Sequence, residues 1–437
     1  MMNYTKSKYN FFFDHNSKNY IYNTLSTALV ELDNDIYVNL KTNKIENIKQ
    51  DYINPLREMH FIVDKDISEA EEFSYYFDSI RYGQSSNVLS ITLIPSYNCN
   101  LACPYCMQGQ DKSVDTMNED SLFATLKFME NYLNNNKNVS KLAISLFGGE
   151  PMLNKAIIFY FCDKANEIAE KYHCETFFSM TSNMTLLDEK MIEYMRKYQI
   201  HTQVSIDGTR EQHNQKRIYK NGKGTYDLIV SNLEKLYEAG LKNLVTIRLN
   251  IDSSNIDNSE SIMSSFIKYS DDVYFGFIDT FKGANDNYEN CISEESYPSY
   301  VTEKFSKCYK KFGFPVPKLF GKKAPCSMNS KGKFFIDNKL NVYKCEMVLR
   351  REDAKVGTLS LDGNFVPNAS FFNQMTFSPM LNEKCRDCIL LPLCGGGCPA
   401  KKYIDKGSKD GDFHLFNCMF TENSLLMYLK NYIDNGD

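Results

Sequence analysis

The chain has 437 residues, of which 43% are hydrophobic and 24% charged, with a net charge of −5. This length allows about two or three domains with a large core. The acidic balance argues against nucleic acid as the main partner. No apolar run is long enough for a membrane span, and the start of the chain lacks an apolar signal core, so we expect a cytoplasmic protein without a membrane partner. In that compartment, 14 cysteines indicate metal ligands rather than disulfides.

Residues 1–85 differ from the rest of the chain in combining short strand-like and helix-like patterns. Strand-like segments are predicted at 9–13, 20–22 and 36–40, and helical patterns at 25–32, 53–61 and 70–77. This mixture is typical of a small winged-helix-like module. The alternative is that the segment only caps the domain that follows.

Strand and helix patterns alternate between residues 86 and 280. The strand candidates are 88–94, 142–147, 175–181, 202–206, 245–251 and 273–278, and the helical patterns are 120–133, 155–171, 188–198, 226–239 and 259–269. Six strand–helix units favour an α/β fold with a parallel barrel or partial barrel, a (β/α)6 relative of the TIM barrel. In such a fold the active site lies in the loops at the carboxyl ends of the strands.

A CxxxCxxC triplet, formed by Cys99, Cys103 and Cys106, follows the first predicted strand. Iron–sulfur clusters are held by cysteine thiolates, and three thiolates leave one iron of a four-iron cluster open to another ligand. A zinc site is the alternative, although structural zinc sites usually pair two CxxC-like hairpins into a closed tetrahedron.

The run Gly148-Gly-Glu-Pro151 follows the second predicted strand. Gly148 and Gly149 lack a Cβ and allow close approach of the backbone to a ligand. Glu150 adds a carboxylate, and proline is favoured at the start of the next helix. Together with the cysteine triplet one strand–helix unit earlier, this turn resembles the radical S-adenosylmethionine (SAM) enzymes.

The resemblance implies a function for each matching residue. Cys99, Cys103 and Cys106 would hold a [4Fe–4S] cluster whose open iron binds SAM, and one electron would cleave SAM to a 5′-deoxyadenosyl radical. Tyr105 would lie against the adenine. Glu150, with Gly148 and Gly149, would receive the SAM amino group.

Four more residues are candidate SAM contacts, each with an ordinary structural alternative. Ser182, in a Thr-Ser-Asn run where Met184 replaces a glycine of the family pattern, would contact the ribose or cap a helix. Asp207 would face the barrel mouth or serve as a turn residue. Arg217 and Arg248 would neutralise the SAM carboxylate or form ion pairs.

The last hundred or so residues hold seven cysteines in short loops around Gly395-Gly-Gly397, which favours a fold organised by metal. Their spacing resembles the SPASM extension, which carries two auxiliary [4Fe–4S] clusters, three clusters in all. The resemblance assigns Cys326, Cys345 and Cys398 to the first, and Cys385, Cys388, Cys394 and Cys418 to the second. Leu340 departs from the pattern, which places a glycine there. Cys308 or Cys291 would complete the first set, and two all-cysteine zinc sites are the alternative.

The predicted organisation is therefore a leader-recognition module (1–85), a partial barrel (86–280), a connecting helical segment (281–325, with a helix around 297–311) and a SPASM domain (326–437). Since about 90 residues precede the cluster motif, we favour a maturase that cross-links a ribosomally made precursor peptide, as in the streptide-type cyclases. A sulfatase-maturing enzyme is the first alternative, and an iron–sulfur electron carrier or redox sensor the second. The leader of the precursor would pair with a strand edge at 36–40, and flavodoxin or ferredoxin would supply electrons.

Overall fold

The computed structural model describes residues 3–83, 87–109, 112–277, 288–292, 311–312, 325–400, 403 and 421–435. In these ranges no helix is long and apolar enough to cross a membrane. Most of the predicted connecting segment, including 297–310, lies outside the described residues, as do Cys308 and Cys418.

Residues 3–83, called the N-terminal module below, contain two small antiparallel sheets and three α-helices. The order is β1 (Tyr4–Lys6), β2 (Asn10–His15), β3 (Lys18–Asn23), β4 (Leu29–Leu32), α1 (Asn34–Lys41), α2 (Gln50–Glu58), β5 (Ile62–Asp64) and α3 (Glu69–Asp78). Strands β2, β3 and β4 form one sheet in that order, and β1 pairs with β5. The strands predicted near 9–13 and 20–22 and the helices near 53–61 and 70–77 are confirmed.

Two sequence predictions in this module are wrong. Residues 36–40 lie in α1 rather than in a strand, with Tyr37 and Leu40 both buried one helical turn apart. The predicted helix at 25–32 is a turn followed by β4, and Thr27 has a φ of 64° in that turn. Both segments are short apolar runs, for which periodicity does not distinguish a strand from a helix.

The six predicted barrel strands are confirmed as β6 (Val88–Ile94), β7 (Lys141–Leu146), β8 (Glu175–Ser182), β9 (His201–Ile206), β10 (Val245–Ile251) and β11 (Val273–Phe277). They run parallel in sequence order. The helices that cover them are α4 (Glu119–Asn135), α5 (Lys155–Lys171), α6 (Glu189–Tyr198), α7 (Arg210–Lys216), α8 (Tyr226–Glu238) and α9 (Ser259–Ser265). Alternate residues such as Leu89, Ile91 and Leu93 enter the core under these helices, so Ser90 and Thr92 face the other side of the sheet.

The sheet continues beyond β6 into the C-terminal region. Strand β12 (Lys333–Asp337) lies parallel to β6, and β13 (Asn341–Tyr343), β14 (Gly357–Leu359) and β15 (Phe365–Pro367) follow as antiparallel strands. The ten-stranded sheet therefore runs across the predicted boundary at residue 326.

The rest of the C-terminal region is built from short helices and loops. These helices are α10 (Ala369–Met375), α11 (Glu383–Arg386), α12 (Leu391–Cys394) and the longer α13 (Glu422–Asn435). A fold organised by metal alone was expected, but Phe334, Ile336 and Val342 belong to the main hydrophobic core. Apolar packing thus supports the first part of this region, and the cysteine loops follow it.

Candidate functional site

The predicted cluster cysteines lie in a loop at the carboxyl end of β6. Cys99 and Cys103 are buried around Leu101, and Cys106 and Tyr105 pack against them. The loop is tied to the segment after α7, because the Ala102 amide donates to the Ile218 carbonyl at 2.8 Å. The carboxyl ends of β6–β10, with the loops that follow them, are called the barrel mouth below. The three thiols, from Cys99 to Cys106, thus share one small volume at this mouth.

The electrostatics of these thiols fit a cationic group. Burial raises the pKa of Cys99 and that of Cys103, the latter to about 11. A buried thiol of this kind forms a thiolate when a metal supplies the compensating positive charge.

The Gly-Gly-Glu turn after β7 packs directly on the chain that leads into Cys99. A Cβ at Gly148 would lie 2.4 Å from the Ser96 carbonyl oxygen, and one at Gly149 would lie 2.1 Å from that of Asn98. Gly148 also has a φ of 137°, a conformation that favours glycine. The sequence interpretation placed these glycines against a ligand, whereas here they allow contact with the backbone before the first cluster cysteine.

Glu150 is buried, and its carboxylate accepts three hydrogen bonds. Oε1 accepts from the Met152 amide at 3.0 Å and from the Ser182 hydroxyl at 2.8 Å, and Oε2 accepts from the Asn183 amide at 2.7 Å. Burial raises the pKa of Glu150, and these hydrogen bonds oppose the rise. Ser182 therefore lies beside Glu150 and positions its carboxylate.

Tyr105 joins the cysteine loop to two predicted charged residues. Its hydroxyl donates to Asp207 at 2.6 Å, and Arg217 Nη1 donates to the same hydroxyl at 2.8 Å. Asn250 Nδ2 also donates to Asp207, at 3.0 Å. Burial raises the pKa of Asp207, and the positive charge of Arg217 opposes this rise. Tyr105, Asp207 and Arg217, which the sequence proposed separately, form one network.

A second chain of hydrogen bonds links Asp207 to Arg217 through His213 and Thr225. The amide of Asp207 donates to Nδ1 of the buried His213 at 3.4 Å, and His213 Nε2 lies 2.9 Å from the Thr225 hydroxyl. Thr225 donates in turn to the Arg217 carbonyl at 2.6 Å. Burial lowers the pKa of His213 to about 3, so the ring is neutral and its Nδ1 stays an acceptor.

Arg248 lies on β10, paired in register with Ser205 of β9. Its Nε atom is buried and has no hydrogen-bond partner among the described residues, and the same holds for Nε of Arg217. Two guanidinium groups with buried, unpaired donors suit a bound carboxylate. Both predicted arginines are thus available for an anionic ligand.

A cavity of about 430 Å³ lies on the inner face of the sheet. Hydroxyl side chains line much of it, and Phe147, Phe177 and Phe335 supply apolar surface. Lys333 and Glu346 reach it from the C-terminal region. The volume is in the usual range for ligand sites. The serine and threonine residues whose hydroxyl groups line the cavity are Ser90, Thr92, Ser145, Ser179, Thr181, Thr202 and Thr246.

The C-terminal cysteines form two separate groups. Cys326, Cys345 and Cys398 pack around one small core that contains Met328 and Val348. Cys385 and Cys388 pack instead against residues of the N-terminal module. Cys394 ends α12 in the same loop as Cys388, and Cys418 lies outside the described residues. The Cys291 sulfur lies 3.6 Å from the Tyr288 carbonyl oxygen.

Sequence reasoning missed several polar residues of the mouth. Asn183 Nδ2 lies 3.8 Å from the Cys99 sulfur, and Gln108 Nε2 donates to the Gly148 carbonyl at 2.6 Å. The ring of Tyr288 packs edge-on against Tyr105 at 5.6 Å. Asn183 and Asn250 both stand at strand ends, and that position is the signal that would have found them.

Comparison with known protein families finds a match over the part of the chain that holds this site. The model of the radical SAM superfamily matches residues 93–263, a range that holds the cysteine triplet, the glycine turn and both arginines. The chain contains a radical SAM domain. The predicted fold class is confirmed, and the match supports the prediction that this domain binds SAM and an iron–sulfur cluster.

Some relatives of this chain cover most of its length. The cysteine-type anaerobic sulfatase-maturating enzyme of Clostridium novyi (strain NT) is 25% identical over 388 residues, 78% of this chain and 97% of that one. The structure of anSMEcpe with AdoMet and the Cp18Cys peptide has a TM-score of 0.61 at 20% identity, covering 80% of this chain and 97% of that one. Streptococcus suis SuiB has a TM-score of 0.50 at 16% identity, covering 95% of this chain and 100% of that one.

Proposed function

We propose that this radical SAM enzyme oxidatively cross-links side chains of a ribosomally made precursor peptide, forming a carbon–carbon or thioether bond. The observation that carries the proposal is the N-terminal module, whose three-stranded sheet ends in a strand, β4, that pairs only with β3 among the described residues. An extended peptide can add to such an edge. The likeness in fold to SuiB, which covers 95% of the chain, supports a shared architecture.

The mouth residues would bind SAM. Cys99, Cys103 and Cys106 would hold the cluster. When flavodoxin or ferredoxin supplies one electron, SAM bound there would provide the radical that removes hydrogen from an unactivated C–H bond. A carboxylate has about four acceptor sites, and three on Glu150 are occupied. The remaining site, on Oε2, would accept from the SAM amino group. The unpaired donors of Arg217 and Arg248 would hold the SAM carboxylate.

The cavity would hold the peptide side chains that react. Joining two side chains releases one hydrogen atom, one proton and one electron, so a cross-linking site needs a proton acceptor and an electron sink. Glu346 brings a carboxylate to the cavity and lies next to Cys345, with its Oε2 at 3.8 Å from the sulfur. Glu346 would take the proton, and the C-terminal cysteines would hold the two auxiliary clusters that supply the sink.

Glu31 tests the peptide-binding edge. In the β3–β4 ladder, Val30 and Leu32 exchange backbone hydrogen bonds with β3, so the Glu31 amide points to the free edge. Glu31→Pro removes that donor, whereas Glu31→Ala removes the side chain and its ion pair with Lys18 but keeps the donor. We expect Glu31→Pro to weaken precursor binding, measured by titration calorimetry, about fivefold to tenfold, with Glu31→Ala close to wild type. Equal affinity for all three proteins would contradict the edge assignment.

The sulfatase-maturing function remains the second candidate because the Clostridium novyi relative covers 78% of the chain. The reduced enzyme should be incubated with SAM and either a candidate ribosomally made precursor peptide or a cysteine-containing sulfatase peptide. Mass spectrometry distinguishes the products, since a cross-link removes two hydrogen atoms and formylglycine formation replaces the thiol with an aldehyde. Release of no 5′-deoxyadenosine with either peptide would favour an electron carrier or redox sensor.

A further inference from the structure

Tyr9, just before β2, is fully buried with an unpaired hydroxyl group. No described residue forms a hydrogen bond with that oxygen. The nearby carboxylate of Glu69 is already used, because it accepts from the Ser7 hydroxyl at 2.5 Å and from the Lys8 amide at 2.8 Å. Buried hydroxyl groups nearly always have a partner, so the Tyr9 hydroxyl calls for an acceptor that the protein chain does not supply.

The surroundings of Tyr9 contain cysteine sulfur. Tyr9 packs in an apolar cluster with Phe73, Phe77 and Leu391, and Cys385 and Cys388 pack against this cluster. A tyrosine hydroxyl carries its proton at neutral pH, so the Tyr9 phenol is a hydrogen-bond donor.

The loop that carries these cysteines is fixed to the N-terminal module. Lys8 Nζ donates to the Arg386 carbonyl at 3.0 Å, and the Thr24 hydroxyl donates to the Ile389 carbonyl at 2.5 Å. Leu390 and Leu393 pack on the aromatic face of β2 and β3. The backbone between Cys385 and Cys394 is thus held in place beside Tyr9 by contacts on both sides.

We propose that Tyr9 donates a hydrogen bond to a sulfur of the iron–sulfur cluster held by Cys385 and Cys388, and so makes the N-terminal module part of that redox site. The proposal rests on the proposed function, which places a cluster there. Reduction adds negative charge to a cluster, and a donor to its sulfur stabilises the reduced form. Tyr9 is then a positioning and tuning residue that raises the reduction potential of this cluster.

Tyr9→Phe is the test, because phenylalanine keeps the ring and removes only the hydroxyl. The matched control is Tyr37→Phe, which removes a hydroxyl from α1 of the same module, where Lys41 Nζ donates to it at 3.4 Å. Both changes are made in the full chain with Cys99, Cys103 and Cys106 replaced by alanine, so that only C-terminal clusters give electron paramagnetic resonance (EPR) signals. Three quantities are measured: the iron content, the reduction potentials by redox titration, and the coupling of exchangeable protons to the reduced cluster, which is identified by comparing samples in H2O and D2O.

We expect Tyr9→Phe to reduce the equilibrium constant for reduction of one cluster about tenfold, which is about 59 mV for one electron. An exchangeable proton coupled to the reduced cluster should disappear, and Tyr37→Phe should change neither property. Loss of iron from Tyr9→Phe alone would also place the hydroxyl on the cluster. An unchanged potential and proton coupling at full iron content would overturn the proposal. A parent protein without iron would instead refute the C-terminal clusters of the proposed function.

Discussion

The two cysteine loops of the molecule are supported in different ways. The loop with Cys99, Cys103 and Cys106 lies at the carboxyl ends of parallel strands and is held by neighbours from the same barrel, such as the Gly148–Gly149 turn. The loop from Cys385 to Cys394 holds only the end of α11 and the single turn of α12, and it packs on a module some 300 residues earlier in the chain. The first site is supported by neighbouring elements of one barrel, whereas the second depends on contacts between distant parts of the chain.

The largest expected effect is a loss of SAM cleavage that leaves the C-terminal iron in place. Replacing Cys99, Cys103 and Cys106 with alanine should abolish SAM cleavage, because no thiolates remain to hold the SAM-binding cluster. Iron bound by the C-terminal cysteines should remain. The measurements are 5′-deoxyadenosine release by chromatography and iron content per chain. Detectable 5′-deoxyadenosine would show that the triplet is not the SAM site.

The C-terminal loop can be weakened without touching a cysteine. Leu391→Ala removes a buried side chain from the contact with Tyr9 and Phe73 and should cost about 2–5 kcal/mol of unfolding free energy. We expect partial loss of C-terminal iron with SAM cleavage retained. Leu381→Ala, at a side chain that is 82% exposed, is the control. Chemical denaturation and iron analysis give the result, and equal stability of both variants would contradict the docking contact.

The barrel site can be weakened through its glycine turn. Gly149→Ala forces a Cβ to within 2.1 Å of the Asn98 carbonyl oxygen, so the chain before Cys99 must move. We expect about a 10–100-fold loss in SAM cleavage, the usual effect of disturbing the support of metal ligands, and full C-terminal iron. Gly83→Ala, where a Cβ meets nothing within 4 Å, should behave like wild type. If both variants cleave SAM normally, the turn does not position the cluster loop.

The smallest effect, over a change of one pH unit, concerns the acid sensitivity of the barrel mouth. The pKa of His213 is about 3 in the fold and 6.5 ordinarily, so between these pH values the unfolded chain binds a proton that the folded chain does not. Stability should therefore fall as pH decreases from 6.5 towards 3, by about 1.4 kcal/mol per pH unit. His213→Gln should flatten this slope in denaturation experiments, and His201→Gln, at an exposed histidine, should keep it. The same slope in both variants would rule out His213 as its source.

The sequence predicted the barrel well because its strands are long and each is followed by a periodic helix, as in β6 and α4. Cys99 and Glu150 were found because their motifs stand at strand ends. The network of Tyr105, Asp207 and Arg217 was not predicted, since it joins three elements by side-chain geometry that no spacing encodes. The contact between Leu391 and Phe73 could not be predicted from the sequence either, because both are ordinary apolar residues.

At two positions the chain adopts a left-handed backbone conformation without the glycine of the family pattern. Met184 and Leu340 stand where the family pattern has glycine, and their φ values are 61° and 62°. The left-handed conformation costs a residue with a side chain about 1–2 kcal/mol. Both are buried, and that packing offsets the cost. The turn at Leu340 forms without the glycine, since Asp337 Oδ1 accepts from the amides of Lys339 and Asn341 at 2.9 Å.

The pairing of β12 with β6 has a practical consequence for dividing this chain. A fragment that ends before residue 326 would uncover the hydrogen-bonding edge of β6, the strand that leads into Cys99. An unpaired edge between apolar residues such as Leu89 and Ile91 is a template for pairing with another molecule. Attempts to produce the radical SAM domain alone should therefore yield aggregates, and expression boundaries that retain β12 to β15 should avoid them.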